Sequence, residues 1–244
     1  MRKRRRRRPT SANGLPSWSS PQRPAAGFLH LWRREPELVR VRAVGLLDVA
    51  DEHDLQIWRA LGTCLLGAAK TGLGRSEEGL TEIGEGIALY QGLRTPPVFW
   101  PLILFVRAGA CARSGRQSEG LGLIDDAIEI ADQGSGLTLL PEFYSLKGSL
   151  MAALPEANGR GAEDWFLRAF NVAQELDART PQLRAVMGLC RLQRQRGDAQ
   201  HANELLSAVY ATFTEGFTTP DLIDAGDLLK SLPHEGAHER RHRG

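Results

Sequence analysis

The sequence predicts an all-α fold, a right-handed superhelix of stacked helix–turn–helix repeats, from three observations. Apolar residues recur at helical spacing from about residue 36 onward, and no stretch alternates apolar and polar residues over the roughly 4–8 positions of a half-buried strand. Four turn-plus-helix segments recur: GRSEEGLTEIGEGIALY from Gly74, GRQSEGLGLIDDAIEIA from Gly115, GRGAEDWFLRAFNVAQ from Gly159 and GDAQHANELLSAVYATF from Gly197. Aligned on the small residue that opens each packed face, Gly79, Gly120, Ala162 and Ala202 lie 41, 42 and 40 residues apart, the mark of stacked supersecondary units.

Composition agrees with a chain that builds a core in water. Of 244 residues, 42% are hydrophobic and 25% charged. No apolar run approaches the roughly 18 residues of a membrane-spanning helix, and Cys64, Cys111 and Cys190 are too few and too dispersed for a disulfide scaffold, so a cytoplasmic protein is expected. Charge is unevenly placed. Residues 1–34 carry 10 of the 31 Lys and Arg and no acid, which leaves 21 bases against 29 acids, a net −8, on the remainder.

The order of elements follows. Residues 1–34, with Arg2, Lys3 and Arg4 to Arg8 followed by Pro, Ser, Asn and Gly, read as a disordered Arg-rich tail, since nothing apolar offsets the entropy of ordering them. Leu15, Trp18 and Phe28 read as isolated in a Pro- and Ser-rich stretch, with no roughly 7–15-residue apolar run after the charges to make a signal-peptide core. The run fits a solvated tail, a misplaced translation start or an arm that grips phosphates by releasing counterions.

Residues 35–232 form the helical-repeat domain, about four helix pairs and a capping helix, and residues 233–244 a second disordered tail. The first helix of each pair is placed at about 57–71, 98–114, 142–154 and 182–196. Gly67, Ala108 and Cys190 precede Gly79, Gly120 and Ala202 by 12 residues, where helices crossing at about 8–10 Å leave little room for side chains; Leu150 breaks the pattern. Leu80, Ile83 and Ile87, and Leu121, Ile124 and Ile128, fill the layer between repeats.

Gly74, Gly115 and Gly197 supply the left-handed conformation that ends a helix, and Glu77 and Glu78 suit the start of the next. Pro96, Pro97, Pro141 and Pro181 belong to the links between pairs. In the last motif, Phe213 and Phe217 flank Gly216, Thr219 supplies an N-cap hydroxyl, and Pro220 opens a cap over 220–232. There Leu222, Ile223, Leu228 and Leu229 are expected to cover the stack, while Asp221, Asp224 and Asp227 face water.

The helical pairs are similar to tetratricopeptide repeats, with a period longer than that family's roughly 34 residues. WRALGTCLLGAAKTGLGRSEEGL (58–80), EFYSLKGSLMAAL (142–154) and FTEGFTTPDLIDAGDLL (213–229) resemble the C-terminal helical-repeat region of bacterial adenylate/guanylate cyclases and LuxR-type regulators carrying a predicted ATPase module. The likeness spans about residues 45–230. It implies a sensory or protein-binding arm rather than the catalytic part, and a chain that is a free-standing adaptor or a remnant of such a regulator.

No catalytic, cofactor-binding or metal site is assigned, and the chain reads as non-enzymatic. Gly67-Ala68-Ala69-Lys70-Thr71 lacks the glycine that precedes the lysine of a phosphate loop, and a helix interior cannot aim several amides at a phosphate. His234, His238 and His242 are spaced for one helix face, but Pro233 and Gly236 make a frayed tail the better reading than a metal site. The cysteines read as buried packing residues, and Trp58, Trp100 and Trp165 as core filling unless basic residues surround them. The function expected is a protein-interaction scaffold that takes a protein or peptide segment in its concave groove, with no membrane contact. The alternative is a nucleic-acid-associated regulator making weak, nonspecific contacts through its basic arm.

Overall fold

Four antiparallel hairpins follow one another along the chain: α3 (Gln56–Gly72) with α4 (Ser76–Gly92), α5 (Trp100–Arg113) with α6 (Gln117–Asp132), α7 (Leu140–Ala152) with α8 (Arg160–Glu175), and α9 (Arg179–Arg196) with α10 (Gln200–Tyr210). Two helices, α1 (Ala26–Trp32) and α2 (Pro36–His53), precede them, and α11 (Pro220–Lys230) closes the order. The computed structural model describes residues 26–94, 98–134, 137–154, 160–198 and 200–231, and among these every regular element is helical. Arg2 to Arg8, Pro96, Pro97, Gly159 and the 233–244 segment with its three histidines lie outside the described residues.

The hairpin turns are made as the glycines require. Gly74, Gly115 and Gly197 have φ of 85°, 75° and 78°, the left-handed region that costs a side-chain-bearing residue most. Each hairpin is then drawn together at its small residues. A Cβ on Gly67 would stand 2.6 Å from the Gly79 carbonyl oxygen, and one on Gly79 2.5 Å from the Gly67 carbonyl oxygen, so neither helix tolerates a methyl group there. Thr71 Oγ1 donates to the Gly67 carbonyl at 2.9 Å beside that crossing. In the last hairpin, Cys190 Sγ–H reaches the Ala202 carbonyl at 2.9 Å.

The third hairpin solves the same problem differently. Leu150 reaches the preceding repeat, where its Cδ2 lies 2.8 Å from where a Cβ on Gly120 would be. The close approach falls instead at Gly148, against which Phe166 of α8 packs, and Phe166 presses also on Gly188 of α9. A Cβ at Gly148 would meet the ring Cε1 at 2.9 Å, and one at Gly188 would stand 2.7 Å from its Cδ1. One phenyl ring thus occupies the space left by two glycines and locks α7, α8 and α9 together.

Between hairpins the core is continuous apolar packing. Ile83 and Ile124 are fully buried, and Leu80, Ile87 and Ile128 nearly so, while Leu121 is partly covered. All three cysteines are buried free thiols on first helices. α2 joins the stack through Val39, Ala43, Leu46 and Ala50, one helical stripe of small and branched residues packed against α3. It starts with Pro36 in its first turn and ends at Asp54, which takes a left-handed φ of 54°.

Several expectations are corrected. Pro141 and Pro181 lie inside the first turns of α7 and α9 rather than in the links, since a helix start has no use for their missing N–H. Thr219 stands at the N-cap of α11, but its hydroxyl does not cap the helix; it donates back to the Gly216 carbonyl at 2.7 Å. Ile223 and Phe217 are about half exposed, and the cover over the last repeat is made by Leu222 and Ala225 with Leu228 and Leu229 beside them. Asp221 does not face water. It is 5% exposed, because two arginines meet it.

Candidate functional site

The expected boundary of the tail at residue 34 is also corrected. Ala26-Gly-Phe-Leu-His-Leu-Trp32 is short, but its Phe28 is 7% exposed and packs with the core of α2, α3 and α4. Gly27 lies so near α3 that a Cβ would meet Leu65 Cδ1 at 2.7 Å. Burying one phenyl ring contributes enough, about 2–3 kcal/mol, to offset part of the entropy of ordering this helix. Arg34 then takes a left-handed φ of 58°, and Glu35 accepts from His30 Nδ1 at 2.6 Å, turning the chain into α2.

That turn reaches the far end of the protein. Arg34 Nη1 donates to Asp224 Oδ2 at 2.6 Å and to Asp221 Oδ1 at 3.3 Å, both on α11. Arg184 of α9 donates from Nη2 to the other Asp221 oxygen at 2.6 Å and to the Trp32 carbonyl, and from Nη1 to Glu142 of α7 at 2.7 Å. Burial disfavours the Arg184 charge, but its hydrogen bond to Asp221 and the field of Glu142 outweigh this and raise its pKa. Burial likewise raises the Glu142 pKa, with Arg184 opposing. The cluster Arg34–Asp221–Arg184–Glu142 joins α1, α7, α9 and α11 through charge-assisted bonds.

Above this cluster lies a cavity of about 340 Å³, lined by α5, α7 and α9, by Leu31, Trp32 and Arg34, and by Asp221. The second helices of the hairpins contribute nothing to it, so it belongs to the inner face built by the first helices. Its apolar lining comes from Phe105, Val106, Leu146 and Met187 together with Leu31 and Trp32. Four arginines, Arg34, Arg113, Arg184 and Arg191, line it against two carboxylates, Glu142 and Asp221. A neighbouring cavity of about 510 Å³ lies on the other side of Trp32 and Arg184, bounded by Leu29, Leu139, Pro181 and Phe213.

The polar groups of the first cavity are of two kinds. Arg34, Arg184, Glu142 and Asp221 satisfy one another. Arg113 and Arg191 make no hydrogen bond or ion pair with the described residues. Arg113 curls back over Gly109; it remains accessible, yet the protein around its guanidinium desolvates it and lowers its pKa. Ser145 Oγ is buried without a partner, as is Arg184 Nε. Several other hydroxyls bond the carbonyl four residues back, Thr63 to Arg59 at 2.9 Å, Ser114 to Ala110 at 2.9 Å and Ser149 to Ser145 at 2.8 Å. Ser145 does not.

The other residues singled out in the sequence fall elsewhere. Gly67 to Thr71 are inside α3, with Lys70 paired to Glu82, which leaves no phosphate cradle. Trp58 packs on Phe99 with ring centroids 5.9 Å apart, and Trp100 stacks on Tyr90 at 6.0 Å. Basic residues do surround Trp165: Lys147 Nζ lies 3.7 Å from its ring centroid and the Arg168 guanidinium 4.8 Å. Those cations already use the π system, Lys147 is paired to Asp125 at 2.6 Å, and Tyr144 packs on the ring, so the indole is held in the fold. The inner-face cluster itself escaped sequence reading. The only sequence signal was Asp221 beside the apolar Leu222 and Ile223.

No protein-family model and no curated protein matches the sequence. Solved structures do match the fold. A Podosopora anserina putative kinesin light chain with nearly identical TPR-like repeats is similar with a TM-score of 0.50 and 15% identity, over 79% of this chain and 96% of that one. A point variant of that same protein is similar with a TM-score of 0.51 and 15% identity, over 77% of this chain and 91% of that one. The all-helical stack is therefore a TPR-like repeat solenoid, the architecture expected from the regular spacing of Gly79, Gly120, Ala162 and Ala202.

Proposed function

We propose that this chain is a non-enzymatic protein-interaction scaffold whose inner face, built by α5, α7 and α9, receives a segment of a protein partner. The observation that carries this reading is the face itself: first helices of successive hairpins line one recess with apolar walls and accessible arginines. Stacked helical pairs offer such extended surfaces for recognition, and their fold requires no reacting group there. The resemblance to the helical arms of cyclases and ATPase-containing regulators supports a place in a signalling protein. On that reading the chain is a sensory arm or a remnant of one.

A site-specific photo-cross-linker tests the proposal. Benzoylphenylalanine at Leu146, on the inner face, is expected to capture a discrete segment of one partner in the source cell, whereas the same group at Glu85, exposed on α4, does not. Equal capture at both positions, or none at Leu146, would contradict it. Reading the genomic DNA ahead of Met1 tests the parentage separately. A strand–GxxxxGK[ST]–helix site in frame supports the regulator origin, and an unrelated gene opposes it.

A further inference from the structure

We propose that the cavity bounded by α5, α7, α9 and the turn after α1 is a binding site for a small organic anion, an acidic group on an apolar body. The recess of about 340 Å³ falls within the roughly 300–1,000 Å³ range of small-molecule sites, which pair apolar walls with a few converging polar groups. The walls are Trp32, Phe105, Leu146 and Met187. The groups there without a protein partner are the accessible guanidiniums of Arg113 and Arg191 and, buried, Arg184 Nε and the Ser145 hydroxyl, which both donates and accepts.

An orphaned hydroxyl inside a helix is costly when the i−4 carbonyl is the usual remedy. Ser145 borders the cavity, but its Oγ is closed off from solvent, so the groups a ligand meets are the guanidiniums of Arg113 and Arg191, which are accessible and have no carboxylate partner. The acceptors already present do not meet this need, since Glu142 and Asp221 are bound by Arg184 and Arg34. A carboxylate, sulfonate or phosphate offers the missing acceptor to the guanidiniums, and an aromatic or acyl body fills the apolar wall. A cation or a neutral polar molecule lacks either the charge or the acceptors. This site lies in the recess that the protein-partner reading also uses and names a small ligand for it, so probe binding with the purified chain and partner capture at Leu146 test the two separately.

The test uses the full chain and two fluorescent probes of the same shape, 8-anilino-1-naphthalenesulfonate and its uncharged parent N-phenyl-1-naphthylamine. The sulfonate is expected to bind at one site at least tenfold more tightly than the neutral probe. The R113Q/R191Q double variant is expected to weaken the sulfonate at least tenfold and leave the neutral probe unchanged, since neither arginine holds the fold through a bond of its own. The R75Q/R116Q variant, which removes arginines paired on the outer surface, leaves both unchanged. Ser145→Leu fills the recess and abolishes binding of both probes. Equal affinity for the two probes, wild-type sulfonate affinity in R113Q/R191Q, or retained binding in Ser145→Leu would each overturn the site.

Discussion

Arg34 and Asp221, 187 residues apart, meet through Nη1 and Oδ1 at 3.3 Å, while the other oxygen of that carboxylate accepts from Arg184 at 2.6 Å. One buried carboxylate therefore fastens the turn after α1 to the last helix across the inner face of the stack. A recess that would otherwise be open along the first helices gains a wall made of Leu31 and Trp32. Any partner that occupies the inner face must share it with this segment or displace it.

Arg184→Ala is the substitution expected to cost most among the charged residues. It leaves Glu142 and Asp221 in a mostly buried place without their common cation, a loss of about 3–5 kcal/mol. Arg34→Gln, at a half-exposed side chain, is expected to cost only about 0.2–1 kcal/mol. Urea denaturation of the two variants checks the order, and equal effects would contradict it.

Removal of residues 1–34 is expected to lower the melting temperature by at least about 5 °C relative to removal of residues 1–25. The difference is the docked α1, chiefly Phe28, and a Phe28→Ala substitution in the full chain should reproduce most of it. Coincident melting curves for the two truncations would show that the helix does not hold the fold.

Phe166 and Phe217 should behave differently although both are phenylalanines of the C-terminal half. Phe166→Ala empties the space against Gly148 and Gly188 and is expected to cost about 3–5 kcal/mol, and Gly188→Ala, which forces a methyl group into the ring, about 1–3 kcal/mol. Phe217 is 47% exposed and touches Tyr210 edge-on, so Phe217→Ala should cost about 1 kcal/mol. Thermal or denaturant unfolding of the three variants reads the ranking.

Burial pushes the Cys64 thiol up to about 12 and the Cys111 and Cys190 thiols up to about 11, from 9.0. A raised thiol pKa means that the folded chain keeps protons the unfolded chain has released. Stability from these groups is whole below about pH 9 and is lost as pH rises through 11 to 12. Native protein at pH 8 should therefore react with a thiol reagent far more slowly than protein in denaturant, and replacing the cysteines by alanine should flatten the alkaline loss of stability. Rapid native labelling of all three would contradict their burial.

The repeat was legible because its causes are local. Left-handed glycines at 74, 115 and 197 and small residues 12 apart follow from turn and crossing geometry that each hairpin imposes on itself. The inner face was not, because its causes are distant in sequence. Asp221 reads as a solvent-facing acid until Arg34 and Arg184 are brought to it, and FLHLW is too short and too near an Arg/Pro/Ser stretch to show a helical stripe of its own. Leu150 lies between these cases. Its misfit within its own hairpin is visible in the sequence, whereas the glycine that accommodates it, Gly120, belongs to the preceding repeat.

The closure of the inner face by α1 is tested most directly by hydrogen exchange on wild type and Arg184→Ala under native conditions. Amides of 26–34 and of 220–230 are expected to lose protection together in the variant while those of α4 keep theirs, because Arg184 bonds both the Trp32 carbonyl and Asp221. Unchanged protection at 26–34, with loss confined to α11, would contradict the closure.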